Sequence, residues 1–433
     1  DTSITADTDD TIDFRIGGSD EIKMTSTALT PAVADGSALG TAALEWADLF
    51  LADGAVINFG ADQEINLTHV HNTGLTTNGT LNGLKITTTA TSNIGLGTAA
   101  VDSITTGDYN IGLGGNALTA NTEGDNNTAV GYDSLVANTT GNQNTSVGNS
   151  ALGANTTGSY NTAVGKMALT TNTTADNNIA VGHHSLRYNT TGANNTAVGQ
   201  TALQANTTGT INTAVGADTL TVNTTGSYNT AMAPTALDAN TTGSYNTGLG
   251  YRALSANTTG SYNTALGYNT LELATTADNN VAVGRQALQA TTTGTSNVAV
   301  GAYALASNTT SLENTAVGYY ALKSCTTGTG QNTAMGKYAL NAVTTGVSNT
   351  GFGAHTLNSC TTGGRNMAFG AHALVGLTTG GDNQAHGYSA GGAITTGDNN
   401  IAIGAFALDA NTTADNNVAV GYNSLGANTT GTR

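Results

Sequence analysis

A unit of 17 residues, written twenty times between Asn93 and Arg433, constrains this chain more than anything else in it. Each unit opens on Asn, from Asn93, Asn110 and Asn127 to Asn400 and Asn417. One unit, 314–331, carries an eighteenth residue within Thr326-Thr327-Gly328-Thr329-Gly330-Gln331. A fixed period of this length predicts a solenoid, in which each repeat packs only on its neighbours. Counting the opening Asn as column zero, column one is Ile, Val or Thr in eighteen units. Column two is always Ala, Gly or Ser, and column three is apolar except at His386. Column four is Gly in every unit but one, and column eight is Leu in eighteen.

This pattern predicts two strands per coil, over columns one to three and seven to eleven. Gly of column four and the Thr-Thr-Gly run would form the corners, the latter Gly taking a left-handed backbone angle. Columns one and three are expected to face the core. Column two would then face away, its small residues admitting another backbone, as in a homotrimer about the solenoid axis. A coil this thin buries little apolar surface alone. Twenty rungs would span roughly 95 Å at the spacing of neighbouring strands.

Column eleven is Asn in twelve units and Ile, Ala, Thr, Cys, Val or Leu in the rest. A position that exchanges Asn for Leu is buried, so its Asn side chains should form an internal ladder. The ladder candidates are Asn121, Asn138 and Asn155 in that column, with Asn110, Asn127, Asn144 and Asn161 in column zero. The alternative is that each Asn caps its own turn. Cys325 and Cys360 share column eleven two coils apart, roughly 10 Å, too far for a disulfide within one chain.

Residues 1–92 read differently, as short β-strands preceding the solenoid. They hold 13 acidic and 3 basic residues, against 15 and 8 in 93–433. The formal net charge of −17 argues against nucleic acid as a partner. No apolar run is long enough to insert in a membrane, and no signal peptide is visible. The chain begins at Asp1, and the expectation is a fragment or a processed product. Nothing in it reads as an enzyme: nucleophile elbow, phosphate loop, paired catalytic carboxylates and zinc-ligand clusters are missing from the sequence.

The phrases TIDFRIGGSDEIKMT, LGTAALEWADLFLADGAVINFG and DQEINLTHVHNTGL, with the repeat NTAVGYDSLVANTTG, resemble bacteriophage tail fibre proteins of the marine type. More loosely, the repeat is similar to the β-roll heads of trimeric autotransporter adhesins. The resemblance implies an all-β, elongated parallel homotrimer in a virion. Such a shaft would support host attachment and contact other tail proteins and a carbohydrate or protein of the host surface. The alternative is a cell-surface adhesin or self-assembling extracellular filament. Fibres of this kind often end in a self-cleaving chaperone, and none follows Arg433, which fits a fragment or cleaved fibre.

Three local features complete the expectations. His69 and His71, two apart on one strand, share a face, and three parallel chains would bring six imidazoles together. Imidazole suits Fe, Ni or Zn, and some phage fibre tips use His-x-His this way; a structural pair near a turn is the alternative, and no other cofactor is expected. In the coil 383–399, Gln384, His386 and Gly391 replace the usual residues, giving a weakened rung or an ion or water site on the trimer axis. Column six reads Tyr303, Tyr320, Tyr338, His355 and His372 in successive coils, an exposed ring ladder that either stiffens the shaft or binds sugar rings.

Overall fold

The computed structural model describes residues 92–328 and 330–429 in full; before residue 92 it describes the backbone of eight short strands. The chain divides into two compact units, 1–80 and 81–433. In the first, β1 (Ser3–Ala6), β2 (Ile12–Ile16), β3 (Ser19–Met24) and β4 (Leu29–Pro31) form one antiparallel sheet. A second antiparallel sheet joins β5 (Val56–Phe59), β6 (Ile65–Val70) and β7 (Gly74–Thr77).

The second unit is a β-solenoid. Its twenty three-residue strands run from β9 (Ile94–Leu96) to β28 (Val418–Val420), each parallel to the next and in register, residue for equivalent residue. β8 (Leu84–Lys85) pairs antiparallel with β9 at one edge. Among the described residues there is no helix.

Three expectations are corrected here. The first concerns which way the strand faces. Column two is the buried one: Ala129, Ala163, Ala180, Ala197 and Ala214 have no exposure, whereas the residues on either side are half-buried or exposed. Val164 and Val181 are each 36% exposed, Met232 43% and Leu266 45%. The reason is space. The inside of the coil is already occupied by the column-eight Leu, and column two points straight at it. A Cβ on Gly351 would come within 2.5 Å of Leu340 Cδ1, and one on Gly112 within 2.9 Å of Val101 Cγ1. Only Ala, Gly or Ser fits there, so small residues mark the inside of the coil and the branched residues face out.

The second correction removes the other strand. Columns five to ten form a turn. Within it columns six and eight take left-handed angles with ordinary side chains, as at Asp133 (φ 54°) and Leu135 (φ 50°), and column sixteen does so at Tyr160 (φ 60°). Such angles cost a non-glycine residue about 1–2 kcal/mol. What they gain is direction: the amide is turned along the solenoid axis to the neighbouring coil. Asp133 N donates to Gly115 O of the coil before at 3.0 Å, and Leu135 N to Ala151 O of the coil after at 3.1 Å.

The Thr-Thr-Gly corner also differs from expectation. Among the described residues its Gly does not carry the left-handed angle, except at Gly328 (φ 108°) in the 18-residue unit; that angle belongs to column four, where Gly131 has φ 131°. The corner approach is close, and a Cβ on Gly124 would lie 2.5 Å from Asn121 Oδ1, although Ala175, Ala277, Ala414 and Ser311 take the equivalent place in other coils.

Leu of column eight and Ala of columns two and seven form one continuous apolar cluster along the solenoid. Each fully buried Leu contributes about 1.5–3 kcal/mol. In the coil 383–399, Gly391 (φ 62°) stands where Leu would, and Leu374 Cδ2 and Ile394 Cδ1 fill the space, 2.8 and 3.1 Å from where its Cβ would be. Gln384 and His386 lie on the outward sheet face, so this coil carries no polar gap in the core.

Candidate functional surfaces

Three surfaces stand out, and the inside of the solenoid fixes all of them. From Asn121 to Asn257 nine column-eleven amides are joined in a line. Asn138 Nδ2 donates to Asn121 Oδ1 at 2.7 Å, Asn155 to Asn138 at 2.9 Å, and so on to Asn257 on Asn240 at 2.8 Å. Each amide gives its other proton to a corner carbonyl, as Asn155 to Gly158 O at 2.9 Å. The line stops where Ala274 follows Asn257, and Asn257 Oδ1 is left without a partner. Column zero makes a second line. The backbone N–H of Asn127 donates to Asn110 Oδ1 at 2.9 Å, that of Asn144 to Asn127 at 3.0 Å and that of Asn161 to Asn144 at 3.0 Å. Asn110 Nδ2 crosses the coil to Gly124 O at 2.8 Å and closes it. Neighbouring coils are thereby locked in register, and identical columns stack.

The first surface is the sheet face itself, made of columns one and three. From Thr128 to Val317 every outward strand residue is Thr, Ile, Val, Leu or Met. Farther on it carries stacked rings: Phe352 on Phe369 at 5.0 Å, and Phe369 on His386 at 5.0 Å. No Asp, Glu, Lys or Arg occurs in either column over all twenty strands.

The second is the column-six ring ladder. Tyr303 stacks on Tyr320 at 4.8 Å, Tyr320 on Tyr338 at 5.4 Å, Tyr338 on His355 at 5.1 Å and His355 on His372 at 5.1 Å. Tyr388 meets His372 edge-on at 5.8 Å. The cations Lys323 and Lys337 lie over Tyr320 and Tyr338. A shorter stack of Tyr228, Tyr245 and Tyr262, not among the sequence expectations, runs along column sixteen. Its signal was present as Ser-Tyr-Asn recurring in three successive units. Partial burial, then the neighbouring His372 and Lys337 charges, hold the His355 imidazole below its ordinary range. An NMR titration should find His355 titrating below a free imidazole, and Lys337→Ala should move it up.

The third is a cleft of about 520 Å³ near the one coil that lacks the column-four Gly, where Ala233 (φ 106°) and Pro234 stand. Arg252 pairs with the buried Glu272 at 2.9 Å, and Gln289 donates to the same carboxylate at 2.8 Å. Burial raises the Asp238 carboxyl above its usual range, only partly countered by its own backbone amide and by Arg252. Asp238 Oδ1 and Thr235 Oγ1 are buried without partners, and Tyr251 is exposed along one wall.

The pair His69 and His71 lies outside the residues whose side chains are described; the backbone places His69 in β6, opposite Leu75. Among the described residues no group of three or more His, Cys, Asp or Glu could hold a metal. Cys325 and Cys360 are free and fully buried, and burial pushes the Cys360 thiol up to about 11. No described helix is long and apolar enough to cross a membrane. Compared with known protein families, curated proteins and solved structures, the chain matches none.

Proposed function

We propose that this chain is the structural shaft of a viral adhesion fibre of the phage-tail kind, working as a parallel homotrimer outside the cell. The observation that carries the reading is the stack of twenty coils, locked along its length by the column-zero Asn line and, from Asn121 to Asn257, by the column-eleven line as well. Such a stack is a rod of fixed length that cannot bend by sliding one coil on the next. It suits a part that holds a receptor-binding end away from a particle. The sequence phrases that resemble marine-phage fibres supply the biological setting. The host partner would be a surface carbohydrate or protein, met by the rings of Tyr303, Tyr320 and Tyr338, which are half-buried in their stack rather than exposed as the sequence predicts, and other tail proteins would anchor the rod. A metal at His69 and His71 belongs to the same proposal.

Immunogold microscopy tests it. Antibodies raised against residues 93–433 should label fibres on tailed particles from the source sample. Labelled cell envelopes beside unlabelled particles would replace this reading with the cell-surface adhesin. The ring ladder is tested separately by a Tyr303→Ser, Tyr320→Ser, Tyr338→Ser variant. Reduced adsorption at unchanged thermal stability is the expected result. Lost stability with unchanged adsorption would leave the rings only a stiffening role, worth about 0.2–1 kcal/mol per stacked pair.

A further inference from the structure

We infer that the outward sheet face, columns one and three of every strand, is the surface along which copies of this chain associate, parallel and with equal coils at equal height. The inference rests on the self-associating fibre proposed above and names its contact. The occupant is a second copy of this chain, for three reasons.

The first is area. Twenty strands of three residues present about 900 Å² at ordinary strand spacing and rise, and a standard interface needs about 800 Å² from each partner. About half of that face, the column-three stripe, is apolar in every strand but one, and the column-one Thr residues beside it are uncharged, a composition suited to contact with another chain. The second is charge. The lysines and arginines of the coils, among them Lys166, Arg187, Arg252, Lys323 and Arg365, all lie in other columns. Depletion of charge is what marks the centre of an interface, and a chain of net charge −17 brings copies together most cheaply on a face that carries none. The third is register. Column three turns polar once, at His386, and column one carries Gln once, at Gln384, in the same strand. Parallel copies in register set Gln384 and His386 of each chain at one level, where they can pair with one another. An antiparallel or shifted arrangement would press them against Thr, Val or Leu and leave them unsatisfied. Column two cannot serve as the contact, because its Ala side chains are buried inside each coil.

The test uses the whole chain in sedimentation equilibrium, with circular dichroism as the check on folding. Wild type should be oligomeric. A Val164→Lys, Val181→Lys, Val198→Lys variant should keep its spectrum and lose association by more than about 100-fold, since each lysine would have to be buried unpaired. A Thr140→Lys, Thr157→Lys, Thr174→Lys variant adds the same charge at exposed positions of the corner and should associate like wild type. A monomeric wild type would overturn the self-associating fibre itself. An oligomeric wild type whose face variant is equally oligomeric would overturn only this face. A monomer that arrests ice growth would give the face to ordered water instead.

Register is read by Thr145→Cys alone, because Cys325 and Cys360 are buried and should not compete. Thr145 lies near one end of the stack, so a short thiol cross-linker should join two copies only if equal coils meet. Failure to cross-link with itself, together with linking to a Met367→Cys chain, would overturn the parallel arrangement.

Discussion

Replacing Asn189 by Asp is expected to cost about 3–5 kcal/mol at neutral pH, whereas replacing it by Leu should cost about 1–3 kcal/mol. The two changes separate shape from hydrogen bonding. Asn189 Nδ2 donates to Asn172 Oδ1 at 3.0 Å and to Gly192 O at 2.9 Å, and its Oδ1 accepts from Asn206 Nδ2 at 2.8 Å. Asp has the same outline but sets an oxygen against two acceptors in a site with no exposure. The folded state must either bury a repelled charge or hold the carboxyl protonated. Its folded pKa would therefore lie above the unfolded value, and the penalty should shrink as pH falls toward the ordinary carboxylate range. Leu leaves the neighbours unpaired but brings no charge, and the repeat itself places Leu377 and Ile394 in this column, both fully buried. Because each coil touches only its neighbours, the loss should be local. Hydrogen exchange should show it in the coils around 172–206, with distant coils protected as before. Equal effects of Asp and Leu would mean that the amide line contributes no more than packing.

Gly131→Val is expected to cost about 3–5 kcal/mol and to separate two coils locally. Gly131 has φ 131°, where a branched side chain is strained, and its Cβ would lie 2.6 Å from the Gly148 carbonyl oxygen of the next coil. The obstacle is backbone, so no side-chain rotation relieves it. Gly131→Ala should cost less, because one coil shows the adjustment: Ala233 holds the equivalent place with φ reduced to 106°. Chemical denaturation of the two variants, followed with exchange at 111–148, measures both. A Val variant as stable as the Ala variant would contradict the close coil approach.

The same residues explain what could be read in advance. The period, the coil boundaries and the burial of column eleven follow from identity alone: a place that takes Asn, Leu and Cys has one environment. The direction of the strand did not follow. Thr-Ala-Val alternates equally well with Ala inside or outside, and hydrophobicity alone favours the branched residues for the core. What decides is the volume already taken by the column-eight Leu, as at Gly351 against Leu340, a quantity fixed by coil diameter rather than by composition. The missing second strand has a similar cause. Leu at φ 50°, as in Leu135, has no propensity signal, because interactions with neighbouring coils impose it. The ring ladder was legible, since equal columns stack in any solenoid. The cleft beside Asp238 was not, since it joins residues from three coils whose columns vary freely.

Mass in solution tests the central claim most directly. One chain is 43.1 kDa. Light scattering or mass photometry of the purified chain at micromolar concentration should give three times that mass on an elongated particle. A species of one chain mass, persisting as concentration rises, would contradict the account.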